Sequence, residues 1–311
     1  MIGIVILADG GRVELPKLLK WQFIHTDGTS SDSFSLEFGY ARQWEEVLKQ
    51  AVRYEGWDSG VLRFYGVVDE YEVCWSEAGL VAAVYGRGMA GLLMDNQVAQ
   101  REFYWVRLSD MLRNYVTPYG IVDVSYEKNY RLSSYAVDYG ECCWDALCGF
   151  CLWAAGVQPR FLSDGTLLIS SVQGRKGVLA EGEIETLKWR QTRYGVYSSV
   201  AAKYVGTYYV QWVENREFQN MGGRAVHRMT VPRKNRCRAG LRSPKQTLED
   251  SKKDFRVLEV TVPRLFYAQP VDVVEVKLPR LGVEGNFFVM EAENRQDTDG
   301  SRCRLTMRQI S

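Results

Sequence analysis

The sequence predicts an α+β fold in which β-strands predominate. Alternating apolar and polar residues run through the first and last thirds of the chain, whereas helical spacing of apolar residues marks the middle third. Aromatic residues make up 13% of the 311 positions, which favours strands and large interfaces. The length is enough for two or three domains, each with its own core.

The first third predicts strands around one short helix. Met1–Ala8 is apolar but lacks a basic segment and runs straight into Asp9–Arg12, so we expect a strand entering a turn and not a signal peptide. Ser33–Tyr40 alternates strictly, which predicts a half-buried strand. Helical spacing from Trp44 to Ala51 then predicts a short amphipathic helix that could plug one end of a small barrel.

A hairpin is predicted next. Its strands are Val61–Val68 and Leu80–Tyr85, with a turn near Gly79. Gly86–Gly88 is expected to break the strand, and Met89–Asp95 to form a helix.

The middle third predicts helices with a small strand unit. Apolar spacing from Leu108 to Val116 indicates a helix that Pro118 stops. The main helix is predicted from Glu141 to Ala155, buried on several sides, with Gly156 as its left-handed cap. Pro159–Ile169 then predicts two strands joined by a turn.

The last third predicts strands again, at Ser199–Val213, Val257–Val262 and Val271–Leu278, followed by a hairpin that turns at Asp297–Gly300. In that hairpin, buried residues alternate with exposed ones, and the buried face is predicted to be Cys303, Leu305 and Met307. The polar stretch Gly222–Arg256 is expected to be a long excursion from a barrel.

The charges are balanced, with 39 Lys+Arg against 38 Asp+Glu, so no global field would draw the chain to nucleic acid or to an anionic membrane. The stretch Gly222–Arg256 nevertheless carries eleven Lys/Arg. Its segment Arg233–Arg238 could neutralise phosphates. A solvated arm or a docking surface for an acidic neighbour is favoured, and nucleic-acid contact is kept as an alternative.

Four of the seven cysteines fall in the main predicted helix. Cys148 and Cys151 form a CxxC and, with Cys143, are candidate metal ligands. A helix that is apolar throughout favours core packing, since cysteine is among the most buried residue types. We therefore expect free thiols in a reducing compartment and neither a metal nor a cofactor.

Catalytic groups are sparse. His25 and His227 lie near predicted loops or strand edges, with no nucleophile motif around either. The acids Asp69, Glu70 and Glu72 could suggest a cell-wall hydrolase, but neighbours on a strand face opposite sides. A non-enzymatic protein is favoured, and a tail-associated cell-wall hydrolase is the alternative.

The segments Phe64–Glu72 and Val84–Asn96 resemble the baseplate hub family of contractile phage tails, also called late control protein D. The stretch from Trp144 to Leu168 is similar to the middle domain of these hubs. A fainter likeness within the chain links the hairpin near Gly79 to the one near Gly300. The residues that carry the family motif are Gly66, Asp69, Glu70, Gly86, Arg87, Gly88, Asp95 and Asn96.

The resemblance implies two related small β-barrel domains joined by α+β material. On this basis we expect domains at 1–96, 97–184 and 185–311, the last with a basic excursion at about 215–256. Three subunits would form a ring that adapts a sixfold tail tube to a threefold spike.

The implied partners are other copies of the chain, the tail tube or a tube-initiator protein, a separate spike and other baseplate proteins. The chain is expected in the baseplate of a virion or a tail-like particle, assembled in the bacterial cytoplasm. No membrane partner is expected, because no stretch reaches ~18 uncharged apolar residues.

Overall fold

The computed structural model describes residues 1–27, 31–77, 79–170, 174–231 and 237–310. Strands predominate, as predicted. They are, in chain order, β1 (Ile2–Leu7), β2 (Arg12–Glu14), β3 (Leu18–Thr26), β4 (Ser33–Gly39), β5 (Ala51–Asp58), β6 (Val61–Ser76), β7 (Gly79–Gly88), β8 (Arg101–Arg107), β9 (Val124–Tyr126), β10 (Arg131–Val137), β11 (Arg160–Phe161), β12 (Leu167–Ile169), β13 (Arg175–Ala180), β14 (Thr186–Gln191), β15 (Ser199–Tyr204), β16 (Val210–Glu214), β17 (Val226–Val231), β18 (Cys237–Arg238), β19 (Arg256–Val262), β20 (Val273–Leu278), β21 (Val283–Asp297) and β22 (Gly300–Gln309).

The helices are short apart from one. They are α1 (Trp44–Gln50), α2 (Ala90–Met94), α3 (Leu108–Tyr115), α4 (Cys143–Ala155), α5 (Arg216–Asn220) and α6 (Pro244–Ser251), with single 3₁₀ turns at Thr117–Tyr119, Glu181–Glu183 and Pro279–Leu281. No helix among the described residues is long and apolar enough to cross a membrane.

Most strands join one 13-stranded sheet within the described chain. Its first unit runs β3-β4-β7-β6-β5-β1, and its second unit has the matching order β14-β19-β22-β21-β20-β13. The first five strands of each unit are antiparallel, but β1 pairs antiparallel with β5 whereas β13 pairs in parallel with β20. The two units are fused where β3 pairs antiparallel with β21. Two separate barrels are therefore not confirmed: the described strands form a continuous sheet, and no closed barrel is seen among them.

The central hairpins of the two units match in detail. β6 with β7 and β21 with β22 each form ten residue pairs, each with one bulge at the corresponding place. Gly66 corresponds to Phe287 and Ser76 to Asp297, so the two hairpins match 221 positions apart. The internal likeness predicted from sequence is therefore a repeat of backbone pairing.

Each unit has its own apolar core. Phe34, Leu36 and Phe38 of β4 are buried on one face in the first unit, where α1 adds Leu48. In the second unit the predicted face of β22 is buried, by Cys303, Leu305 and Met307. Period-two burial explains why these segments are strands.

A third core lies in the middle of the chain and surrounds α4. This helix is buried on several sides, as predicted, and ends at Gly156 with a left-handed φ of 71°. Gly149 lets the helix approach its neighbours, since a Cβ there would lie 2.5 Å from the Tyr135 hydroxyl and 2.9 Å from the Ala239 Cα. Any larger residue would push these elements apart.

Three local predictions were wrong. Gly86–Gly88 does not break the strand, because β7 continues through Gly88. Ser199–Val213 is not one strand but the hairpin of β15 and β16. The basic stretch is not simply a long excursion, because it contains regular secondary structure: β17 pairs in parallel with β15, and α6 follows. Its segment Arg233–Arg236 lies outside the described residues.

Candidate functional site

The glycines of the family motif lie at the closest approach of β6 and β7. A Cβ on Gly86 would lie 1.9 Å from the Val67 carbonyl oxygen, and one on Gly66 would lie 2.2 Å from the Arg87 carbonyl oxygen. On Gly88 a Cβ would lie 2.9 Å from the Asp32 side chain. These glycines are needed for packing, not for binding a phosphate.

Arg87 connects three elements. Its Nε and Nη2 donate to the two carboxylate oxygens of Asp69 at 2.7 and 2.8 Å, and its Nη1 and Nη2 donate to Asp95 at 2.9 and 2.8 Å. Asp69 projects from the bulge in β6, and Asp95 follows α2. The Arg87 guanidinium holds the pKa of Asp95 below its usual value. Such paired charge-assisted bonds fix α2 to the hairpin.

The remaining motif residues also have structural positions. The Asn96 side-chain amide donates to the Leu92 carbonyl at 2.6 Å, and the Asn96 carbonyl accepts from the Cys143 N–H at 2.8 Å. Glu70 is exposed on β6, where it lies opposite Tyr85. These contacts join the first sheet unit to the core around α4. Among the described motif residues, Glu70 is the one that points to solvent and takes no part in these contacts.

The sequence placed His25 near a loop or strand edge but did not predict that it is buried beside this motif and paired with Asp32. His25 lies on β3, and its Nδ1 is 2.7 Å from the Asp32 carboxylate. The second oxygen of Asp32 accepts from the Thr26 N–H, and the Asp32 carbonyl accepts from the Gly88 N–H. Burial by itself lowers the pKa of His25, but Asp32 and the Arg63 carbonyl outweigh it, so the pKa is raised. No sequence motif indicated that His25 and Asp32 would pair.

The candidate metal cysteines are deep in the helical core. Burial raises the pKa of Cys148 and Cys151, which disfavours the thiolate that binds metals. Cys143 donates to the Tyr119 hydroxyl at 3.5 Å, while Cys148 accepts from the Gln158 amide. Among the described residues, no group of three His, Cys, Asp or Glu is arranged to hold a metal.

The predicted acidic residues do not form a hydrolase pair. Asp69 is engaged by Arg87, and Glu72 accepts from the Tyr85 hydroxyl at 2.7 Å. The second histidine, His227, stacks on Tyr197.

The described cations of the basic stretch are largely paired with acids. Arg242 and Lys253 lie 3.6 and 3.4 Å from Asp250, and Arg256 lies 2.7 Å from Glu217. A nucleic acid would have to compete with these carboxylates. The arrangement is typical of a surface that stabilises its own fold.

Exposed aromatic side chains are the outstanding surface feature. On β8, Tyr104 and Trp105 are 70% and 69% exposed. Trp105 has a φ of +56°, which breaks the alternation of the strand and leaves two successive aromatics outside. Such a conformation costs about 1–3 kcal/mol in a bulky residue, so the rest of the fold must hold it. Backbone strain of this kind clusters at functional sites.

The second exposed aromatic site is the tip of the β6–β7 hairpin, where Trp75 is 85% exposed beside exposed Val73 and Leu80. The matching tip of β21 and β22 is polar, with Asp297 and Gly300. Exposed apolar groups that are grouped in one place mark protein contacts. The two repeats thus differ at their tips.

Comparison with solved structures finds the same overall fold in tail proteins. A tail protein from Neisseria meningitidis MC58 matches with a TM-score of 0.79 at 18% identity, covering 99% of this chain and 96% of that one. The 43 kDa tail protein of prophage MuSo2 from Shewanella oneidensis matches at 0.78 and 15% identity, covering 99% and 98%.

A third match is the E. coli c3393 protein, a component of the type VI secretion system with structural similarity to the T4 tail proteins gp27 and gp5. Its TM-score is 0.59 at 10% identity, and the match covers 94% of this chain and 74% of that one. No family model and no curated protein sequence matches the chain. The fold is that of phage tail proteins, as the sequence resemblance predicted.

Proposed function

We propose that the chain is a non-enzymatic baseplate hub subunit of a contractile phage tail or tail-like injection particle. The observation that carries this proposal is the repeat of one five-stranded antiparallel unit within a single chain, with a sixth strand added to each copy. The shared fold with tail proteins supports it.

The repeat gives a physical reason for the role. Three copies of a chain with two similar units present six similar surfaces around an axis, yet retain threefold symmetry. Such a ring can meet a sixfold tail tube on one side and a threefold spike on the other. We assign the first unit to 1–96, the α+β middle domain to 97–184 and the second unit to 185–311. β13 precedes residue 185 in the chain but joins the sheet of the second unit by pairing with β20.

The proposed partners follow from this geometry. They are two further copies of the chain, the tail tube or a tube-initiator protein, a separate spike and other baseplate proteins. Assembly would take place in the bacterial cytoplasm, and the finished hub would reside in the baseplate of the particle.

Sedimentation of the purified chain, alone and with its spike protein, tests the proposal. We expect a species of three times the 35.6 kDa chain mass in at least one of these conditions. Averaged electron micrographs of that species should show six similar lobes around a threefold axis. A monomer under both conditions would overturn the proposal.

A further inference from the structure

The two hairpins of the repeat differ in what covers their outer edges. In the second unit, residues Glu291–Gln296 of β21 pair with β3 of the first unit. In the first unit, β5 pairs with β6 only as far as Val67, so among the described strands the outer half of β6 keeps β7 as its sole partner. The edge covered in one unit is therefore open in the other.

The strand that would cover this edge also exists in duplicate. β14 holds the place in the second unit that β3 holds in the first, because each lies beside the strand that flanks the central hairpin. β3 uses its outer edge to bind β21, whereas β14 ends the sheet and pairs only with β19 among the described strands. The first unit thus leaves an edge open among the described strands, and the second unit carries the strand that matches this edge.

We propose that β14 of one copy pairs antiparallel with the outer half of β6 of the next copy, reproducing between chains the β3–β21 junction within each chain. This inference rests on the proposed ring and names its contact. The interface is head to tail, so it closes into a ring when the rotation per chain is one third of a turn. Open strand edges otherwise invite uncontrolled pairing.

The repeat also fixes the register. Ile24 lies opposite Ser33 in the first unit, and Arg190 lies opposite Val257 in the second. Ser33 and Val257 occupy matching positions beside β7 and β22. Ile24 and Arg190 are therefore equivalent.

Side-chain chemistry agrees with that register. Ile24 pairs with Glu293, whose equivalent in the first hairpin is Glu72, so Arg190 of one copy should lie opposite Glu72 of the next. Opposite charges facing each other across strands are favourable. The neighbouring pairs that follow are Trp75 with Leu187, Cys74 with Lys188 and Val73 with Trp189.

This contact would cover the exposed hairpin tip with apolar side chains. Leu187 and Trp189 are partly buried and pack on the second core, so each still has an open side. Residues 69–86 hold four acids and no Lys or Arg, while β14 carries Lys188 and Arg190. The charges of the two edges are therefore complementary.

A disulfide tests the register directly. Cys74 is an exposed free thiol, and Lys188 is exposed. Directly opposed residues in antiparallel strands lie ~4.5–5.5 Å apart at Cα, which a disulfide spans. With oxidised glutathione accepting two electrons and two protons from each thiol pair, Lys188→Cys should give linked dimers and trimers on a non-reducing gel, with no species above the trimer.

Matched controls define the outcome. Thr186→Cys moves the thiol two positions along the same strand and should link poorly, and Cys74→Ser combined with Lys188→Cys should not link. Equal linking by Thr186→Cys would overturn the register. Failure of Lys188→Cys to link in a protein that sediments as a trimer would overturn the edge contact but leave the hub proposal standing.

A charge exchange gives a second readout. Glu72→Arg and Arg190→Glu should each weaken self-association by roughly threefold to tenfold, and the two changes combined in one chain should restore it. Sedimentation velocity across a concentration series measures this. If the double variant is weakened by the sum of the two single changes, the proposed contact is overturned. If the wild type does not self-associate at all, even with the spike, the hub proposal itself is overturned.

Discussion

Gly86 offers a sharp test of whether the motif glycines serve packing. In Gly86→Ala the new methyl group would lie 1.9 Å from the Val67 carbonyl oxygen and 2.4 Å from the Phe34 ring. Both neighbours belong to the strands that flank β7, so relief requires the backbone to move. Overpacking of this kind costs about 3 kcal/mol at its upper end.

The unfolded chain offsets part of this cost, since alanine has less conformational freedom than glycine, by about 0.4–1 kcal/mol. We therefore expect Gly86→Ala to lower the free energy of unfolding by about 2–3 kcal/mol. At about 2–4 °C per kcal/mol, the melting temperature should fall by roughly 4–12 °C.

Gly39→Ala is the matched control. Gly39 ends β4 in the same sheet, and a Cβ there meets nothing within 4 Å. Its melting temperature should equal or slightly exceed that of the wild type. Melting followed by circular dichroism measures both variants, and hydrogen exchange should locate the loosening in β6 and β7. Equal melting temperatures for the two variants would refute the packing explanation.

Three further predictions concern buried or paired polar groups. Because the pKa of His25 is raised in the folded state, its pairing with Asp32 stabilises the fold below about pH 6.5 and is lost as the pH rises through the folded value. Unfolding free energies measured at several pH values should converge with those of His25→Gln at high pH, and parallel curves would contradict this. Arg87→Gln should cost about 1–2 kcal/mol at neutral pH, allowing for solvent screening. Because the pKa of Asp95 is lowered in the folded state, the loss measured by urea titration should shrink as the pH falls below the usual aspartate pKa of about 3.9 and Asp95 becomes protonated. Tyr54→Phe should raise the melting temperature slightly, because the buried Tyr54 hydroxyl has no hydrogen-bond partner among the described residues; a marked fall would show that a partner exists.

The motif residues and His25 show why the candidate site was only partly predictable. Gly66, Gly86 and Arg87 were found because a family motif marked them, yet their partners were not. Asp69 meets Arg87 only because a bulge projects it from the strand. His25 carried no motif, and its burial beside Asp32 depends on how β3 packs.

The sequence by itself determined the local elements. Alternation in Ser33–Tyr40 and at Cys303–Met307 specifies strands with one buried face, and the cap at Gly156 specifies where the main helix ends. These signals are local, because burial of one face imposes a period on neighbouring residues. These local elements can therefore be predicted from the sequence alone.

Only the tertiary structure decided how the two repeats are joined. The pairing of Trp21 with Gln296 links residues far apart in the chain, and many registers would satisfy the same alternation. The choice depends on the packing of both cores at once, which no local pattern encodes. Among the described strands, that same choice leaves the outer half of β6 and the outer edge of β14 unpaired.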